Sequence, residues 1–310
     1  VGSEMCIRDR EYDFYGISAS TAQYPKAKNI MKLIKKNNKH SRVVLGGPHT
    51  IAPKCSKQAL EDGFDQVVIG QGEKALLSII HGNKDRIIVG EPLNRFELDS
   101  LFPDRDALNM QDYGYPFLNG KAATIITARG CPYKCSFCSI SSGSVGFRSL
   151  ESVLEEIALL KDKHKFDKFL FLDDSFTINK ERLINILKEL IQYKIQYRCY
   201  ARPDTSYDRK LLELMLESGC VESGVGIESG SQKILDLTNK KTKVNKNIEF
   251  IKMAQEIGLE VNAFIMIGLP GESLETVKET REFIEKTKPK KFGYNIITPY
   301  PDSFIVINYE

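Results

Sequence analysis

AATIITARGCPYKCSFC, residues 122–138, is a β-branched run that breaks at a glycine into three cysteines spaced C-x3-C-x2-C. A short apolar run bounded by turn residues reads as a buried strand, here at about 122–128, with the cysteines on the loop after it. Downstream the same kind of unit recurs: strands at about 168–173, 196–202, 220–228, 260–268 and 291–298 alternate with helices at about 150–163, 180–193, 208–218, 244–258 and 275–287. In the first helix Leu150, Val153, Leu154, Ile157 and Leu160 form one apolar stripe with charges opposite, the mark of a helix laid on a sheet. Six strands joined by five crossover helices make a parallel sheet that can curl into a partial (β/α)6 TIM-like barrel. In such barrels the chemistry sits at the C-terminal strand ends, so the cysteine loop falls on the active face.

The chain has seven cysteines, Cys6, Cys55, Cys131, Cys135, Cys138, Cys199 and Cys220. An odd number without a secretion signal argues against a disulfide framework and for thiols or metal ligands. A chance C-x3-C-x2-C is expected only on the order of 0.004 times in such a chain, so Cys131, Cys135 and Cys138 read as one ligand set. Three thiolates suit either zinc, with Cys199, Cys220 or a histidine as fourth ligand, or an iron–sulfur cluster. A four-iron cluster on three cysteines keeps one iron open to substrate.

RGCPYKCSFC, with Phe137 ahead of the third cysteine, resembles the signature of the radical S-adenosylmethionine (SAM) superfamily, and the resemblance runs through most of residues 122–302. It implies a [4Fe-4S] cluster on Cys131, Cys135 and Cys138. SAM chelates the open iron, and one-electron reduction splits it to methionine and a 5′-deoxyadenosyl radical. The resemblance also implies SAM contacts on successive strand ends. Asp173 or Asp174 in FLFLDDSF would receive the methionine amino group, and Arg202 in YRCYARPD would pair with its carboxylate. Glu228 and Ser229 in GVGIESGSQ would reach the ribose or amino group. The backbone at Ile267 and Gly268 in FIMIGLPGES would lie against adenine, with Tyr300 in ITPYPDS closing over it.

Residues 11–90 alternate short strands with helices, as in YDFYGIS, RVVLGG, QVVIG and RIIVG, which reads as an incomplete Rossmann-like parallel sheet. Gly46, Gly47, Gly70 and Gly72 fall where strands end, either as turn glycines or to admit a ligand. YGISAST, VVLGGPHT and VVIGQGE resemble a cobalamin-binding domain placed ahead of the radical SAM domain, and imply a planar corrin against these four glycines. The first βα unit of such a domain and its Asp-x-His-x-x-Gly motif are missing, so the expectation is weak cobalamin binding with no imidazole from this chain on cobalt. His49 reads as a polar turn residue. Between the two units, 91–121 reads as an irregular linker with Pro92, Pro103 and Pro116, and 122–310 as the radical SAM core.

Composition narrows the alternatives. Apolar residues at 42% and charged residues at 27% fit a folded globular chain. A net charge of +3 is too small to argue for nucleic acid or an anionic membrane. No apolar stretch reaches the length of a membrane span or signal peptide, so the expected address is the cytoplasm. The Val1 start, the leader-like VGSEMCIRDR and the apolar run ending at Glu310 read as a fragment at both ends. The resemblance implies methyl transfer to an unactivated carbon of a small molecule, fed by an external one-electron reductant. Radical cyclisation or rearrangement is the alternative chemistry, and a non-catalytic zinc or iron–sulfur protein the alternative class.

Overall fold

A computed structural model describes residues 12–107, 109–110, 120–138, 144–204 and 207–298. The described residues divide into two compact units, 12–93 and 94–298. In the first, strands β1 (Phe14–Ser18), β2 (Arg42–Gly46), β3 (Gln66–Gly70) and β4 (Ile87–Gly90) form one parallel sheet in the order β1-β2-β3-β4. Helices α1 (Tyr24–Asn37), α2 (Pro53–Asp62) and α3 (Glu73–Ile80) connect them. Strand period 2 sorts the side chains. Val43, Leu45 and Val67 pack on Ala27, Met31 and Ile34 of α1 and Ala59 of α2, whereas Val44 and Val68 meet Ala75 and Ile79 of α3 on the other face. Both faces are therefore covered, as a parallel sheet requires.

The second unit holds β5 (Ala123–Ile125), β8 (Lys168–Phe171), β9 (Gln196–Ala201), β10 (Cys220–Glu228), β11 (Glu260–Ile267) and β12 (Lys291–Ile296), all parallel and in chain order across the sheet. The crossover helices are α5 (Leu150–Asp162), α6 (Lys180–Tyr193), α7 (Arg209–Glu217), α9 (Val244–Ile257) and α10 (Leu274–Thr287). Side chains of Ser149, Asn179, Asp208 and Ser273 each accept a backbone N–H of the helix they precede, which fixes where α5, α6, α7 and α10 start. Phe169, Phe171, Tyr197, Cys199, Val225, Val261 and Ala263 point outward into one core with the helices. The alternating residues Arg198, Tyr200 and Arg202 consequently face the barrel interior.

The structure departs from the sequence reading in detail. The run read as one strand at 122–128 splits into β5 and β6 (Ala128–Arg129), and β6 pairs antiparallel with β7 (Gly146–Phe147). The segment 91–121 contains a short helix, α4 (Arg95–Ser100), and from Asn94 it clusters with the second unit. A further short helix, α8 (Gln232–Leu237), lies between β10 and α9. The open edge of β5 is closed by two guanidinium groups. Arg105 donates to Thr124 O at 2.8 Å and Arg148 to Ile126 O at 3.0 Å, and both bind Glu156 of α5, which is 1% exposed. Capping edge carbonyls in this way protects a strand from foreign pairing. Among the described residues, no helix is long and apolar enough to cross a membrane.

Candidate active site at the C-terminal edge of the barrel

The cysteine loop, 131–138, follows β6 and is tied down from three sides. Gly130 N–H donates to Asp174 Oδ2 at 2.9 Å, Ser136 N–H to Thr238 O at 2.9 Å, and Asn239 Nδ2 to Lys134 O at 2.7 Å. Cys135 is buried, and Cys131 and Cys138 are half-buried. Burial pushes the Cys131 thiol up, opposed by the Tyr133 backbone N–H and by Arg202. A thiol held neutral by its surroundings gives up its proton when a metal arrives, so metal binding and deprotonation are coupled here.

Among the described residues, no three His, Cys, Asp or Glu side chains converge on a point where one ion could sit. Nor does the structure offer Cys199 or Cys220 as a fourth ligand. Their Sγ atoms lie 4.0 Å apart, both residues fully buried in the core between β9 and β10. Three soft thiolate donors on one tethered loop fit an iron–sulfur cluster.

Arg202 is not free at its strand end. Its Nε and Nη2 donate to Asp204 Oδ1 and Oδ2 at 2.9 and 2.8 Å, Nη2 also to Lys240 O, and Nη1 to Cys135 Sγ at 3.5 Å. The guanidinium lies 3.6 Å from the centre of the Tyr133 ring. Burial opposes its charge, but Asp204 and Cys135 outweigh that and raise its pKa. In this structure Asp204 takes the bidentate face of Arg202, and the guanidinium also clamps the cysteine loop.

Asp173 is likewise committed. It is 1% exposed and accepts from Thr127 N–H at 2.6 Å and from Thr127 Oγ1, and burial pushes its carboxyl up against those bonds. It locks the end of β5. Asp174 is the exposed member of the pair, beside the cysteine loop. Ser229 Oγ lies 3.1 Å from Thr280 Oγ1 in a 1% exposed position.

Glu228 has a left-handed backbone, φ 63°, where β10 ends, and one carboxylate oxygen accepts from Lys240 Nζ at 2.7 Å. Lys240 Nζ stands 5.9 Å from the centre of the half-buried Phe137 ring, so the pair links β10 to the cysteine loop. Non-glycine residues at such φ are strained and cluster at functional sites. Ile267 is 39% exposed, and Gly268, at φ 88°, has its N–H held by Glu272. Tyr300 lies outside the described residues. Sequence reasoning missed Asp204, Thr127 and Lys240. The two-residue spacing of Arg202 and Asp204 was the one visible signal.

In the first unit the four glycines divide. A Cβ on Gly47, φ 95°, would fall 2.7 Å from Ser18 Oγ and 2.8 Å from Ala19 N, and Gly70, φ 84°, is also left-handed, so the protein's own turns require both. Gly46 and Gly72 have ordinary backbones, and added Cβ atoms would meet nothing closer than 3.9 and 3.8 Å. Among the described residues no contact demands glycine there, which fits close approach by a flat ligand. His49 is 6% exposed, stacked at 4.0 Å on Tyr24, with Nδ1 3.4 Å from Thr21 Oγ1, and burial lowers its pKa, keeping it neutral.

Comparison with known proteins agrees with this geometry. The Radical SAM superfamily family model matches residues 125–284, and the B12 binding domain model residues 5–80. An uncharacterized methyltransferase of Pyrococcus horikoshii is 32% identical over 95% of this chain and 69% of its own length. The anaerobic magnesium-protoporphyrin IX monomethyl ester cyclase of Rubrivivax gelatinosus is 28% identical over 94% of this chain and 57% of its own. Among solved structures, the radical S-adenosylmethionine methyltransferase TsrM from Kitasatospora setae, with cobalamin and a [4Fe-4S] cluster bound, superposes with a TM-score of 0.77 at 18% identity. That match covers 96% of this chain and 68% of TsrM.

Proposed function

This chain belongs to the radical SAM superfamily, and from that premise we propose that it is a cobalamin-dependent methyltransferase acting on an unactivated carbon of a small molecule. The observation that carries the reading is the C-x3-C-x2-C loop, tethered at the C-terminal edge of a partial barrel and clamped by Arg202. We assign 11–90 as the cobalamin-binding-like unit, 91–121 as the connection and 122–310 as the radical SAM core, working in the cytoplasm with an external one-electron reductant. When bound, the cluster with SAM supplies a hydrogen-abstracting radical, and cobalamin supplies a transferable methyl group.

The chain's own residues would do the following. Cys131, Cys135 and Cys138 hold the cluster, and Arg202 and Asp204 fix the loop that carries them. Asp174 is the carboxylate placed to accept from the SAM amino group. Glu228 offers SAM the oxygen that Lys240 does not take, and Ile267 presents an apolar edge for the adenine. Gly46 and Gly72 leave room for the corrin, and His49, stacked on Tyr24, stays off cobalt. Anaerobic reconstitution with iron and sulfide, then reduction with SAM present, tests the core reading. The expected results are about four irons per chain and release of 5′-deoxyadenosine. An iron-free protein that binds zinc would overturn it.

Radical cyclisation is the second reading, favoured by the similarity to the Rubrivivax cyclase. Methyl-labelled SAM separates the two, since only a methyltransferase moves the label into product.

A further inference from the structure

The segment 238–246, Thr-Asn-Lys-Lys-Thr-Lys-Val-Asn-Lys, carries four lysines and no acid. Its first part is in direct contact with the cysteine loop. Thr238 O accepts from Ser136 N–H, Asn239 Nδ2 donates to Lys134 O, and the buried Lys240 lies over Phe137 and lends its carbonyl to Arg202. Asn239 and Lys241 both hold left-handed backbones, φ 52° and 57°, so a tight and costly turn keeps the segment against the loop.

Its second part faces water. Lys241, Lys243 and Lys246 are exposed and rim a cleft of about 340 Å³ whose wall also includes Asp204, Tyr207 and Phe250. Asp204 is the carboxylate that grips Arg202, so the cleft reaches to within one side chain of the Cys135 clamp. Lys134, on the cysteine loop itself, is exposed too. Lys243 and Lys246 are each paired with an exposed acid, Asp236 at 3.4 Å and Glu249 at 2.8 Å, and Asp204 in the wall is taken by Arg202. Leu237, 49% exposed, provides apolar surface in the same segment. The chain as a whole is nearly neutral, so a local excess of lysine beside the cysteines is a feature of this face.

We infer that Lys134, Lys241, Lys243 and Lys246 form the docking face for an acidic one-electron carrier protein that reduces the cluster. The inference rests on the cluster reading above. The transfer is a single electron from the reduced carrier to the oxidised cluster, the carrier being oxidised by one electron, with no bond made or broken. A positive face beside the acceptor steers an acidic partner and raises its encounter rate, and salt screens that advantage. Leu237 with a charged surround follows the pattern of an apolar centre and polar rim.

The test uses the full chain with reconstituted cluster and photoreduced flavodoxin as the acidic donor, following bleaching of the cluster's visible absorbance by stopped flow. Combined Lys241→Glu, Lys243→Glu and Lys246→Glu should slow reduction at least about tenfold at low salt and flatten its salt dependence. The same triple variant should be reduced by methyl viologen radical, a small cation, no more slowly than the parent. Charge reversal at the distant exposed Lys188 and Lys278 should leave the flavodoxin rate unchanged. An unchanged flavodoxin rate in the triple variant would overturn the inference, and so would equal slowing with viologen, which would mean a damaged loop. Failure of the parent chain to take up iron and sulfide would show in metal content before any rate is measured. That outcome sinks the cluster reading, and this inference with it.

Discussion

Arg202, expected from the sequence to pair with the methionine carboxylate, also supports the cysteine loop. Four hydrogen bonds run from its guanidinium, two to Asp204, one to the Lys240 carbonyl and one to Cys135. Arg202→Ala should therefore strip Asp204 of its partner, costing about 3 kcal/mol, and loosen the loop. Iron retained after gel filtration should fall well below the parent's, with partial recovery in Arg202→Lys, which restores charge but not the fork. Normal iron content with weakened SAM binding would return Arg202 to the carboxylate role. The cysteines themselves give a sharper outcome: Cys131→Ala, Cys135→Ala and Cys138→Ala should each abolish the four-iron spectrum, while Cys55→Ala and Cys220→Ala keep it. Full iron content in any loop variant would remove that cysteine from the ligand set.

At the scale of elements, the alternation of strand and helix was legible because each element carries its own period. The stripe Val153, Ile157 and Leu160 and the buried alternation along β11 belong to segments that announce themselves locally. What stayed hidden were partners far apart in the chain. Asp173 binds Thr127, Glu228 binds Lys240, and Arg105 and Arg148 meet on Glu156, and no local pattern encodes which polar groups close on one another. The β6–β7 pairing was missed for the same reason, since it joins Ala128 to Phe147 and Arg129 to Gly146 across a long excursion of the chain. Glu156 gives this scale its test. A carboxylate 1% exposed between two guanidinium groups that cap the edge of β5 cannot be removed cheaply, since both cations would be left without it. Glu156→Ala should destabilise the second unit by about 3–5 kcal/mol, and urea unfolding followed by circular dichroism measures it. A loss below about 1 kcal/mol would mean that water or backbone carbonyls suffice for both arginines.

In the whole molecule each unit is built around its own core. The residues of the two smaller clusters all precede Leu93, and those of the large cluster all follow it. Cofactor loading should be separable on the same line. Gly46→Ala adds a methyl group that no protein atom opposes, so thermal stability should hold while cobalamin affinity falls, because the methyl enters the space left for the ligand. Gly47→Ala should destabilise instead: the left-handed φ and the contact with Ser18 and Ala19 oppose a side chain whether or not cobalamin is present. Titration with hydroxocobalamin, iron analysis and thermal melts on the same preparations then give a crossed result. Gly46→Ala is expected to lose cobalamin and keep iron, and Cys138→Ala to lose iron and keep cobalamin. Paramagnetic resonance of the Co(II) form should show no protein nitrogen coupling, since His49 is enclosed against Tyr24 and Thr21. Parent-like cobalamin affinity in Gly46→Ala would mean that the open space beside that glycine is not where the corrin lies, and nitrogen coupling lost in His49→Ala would place the imidazole on cobalt after all.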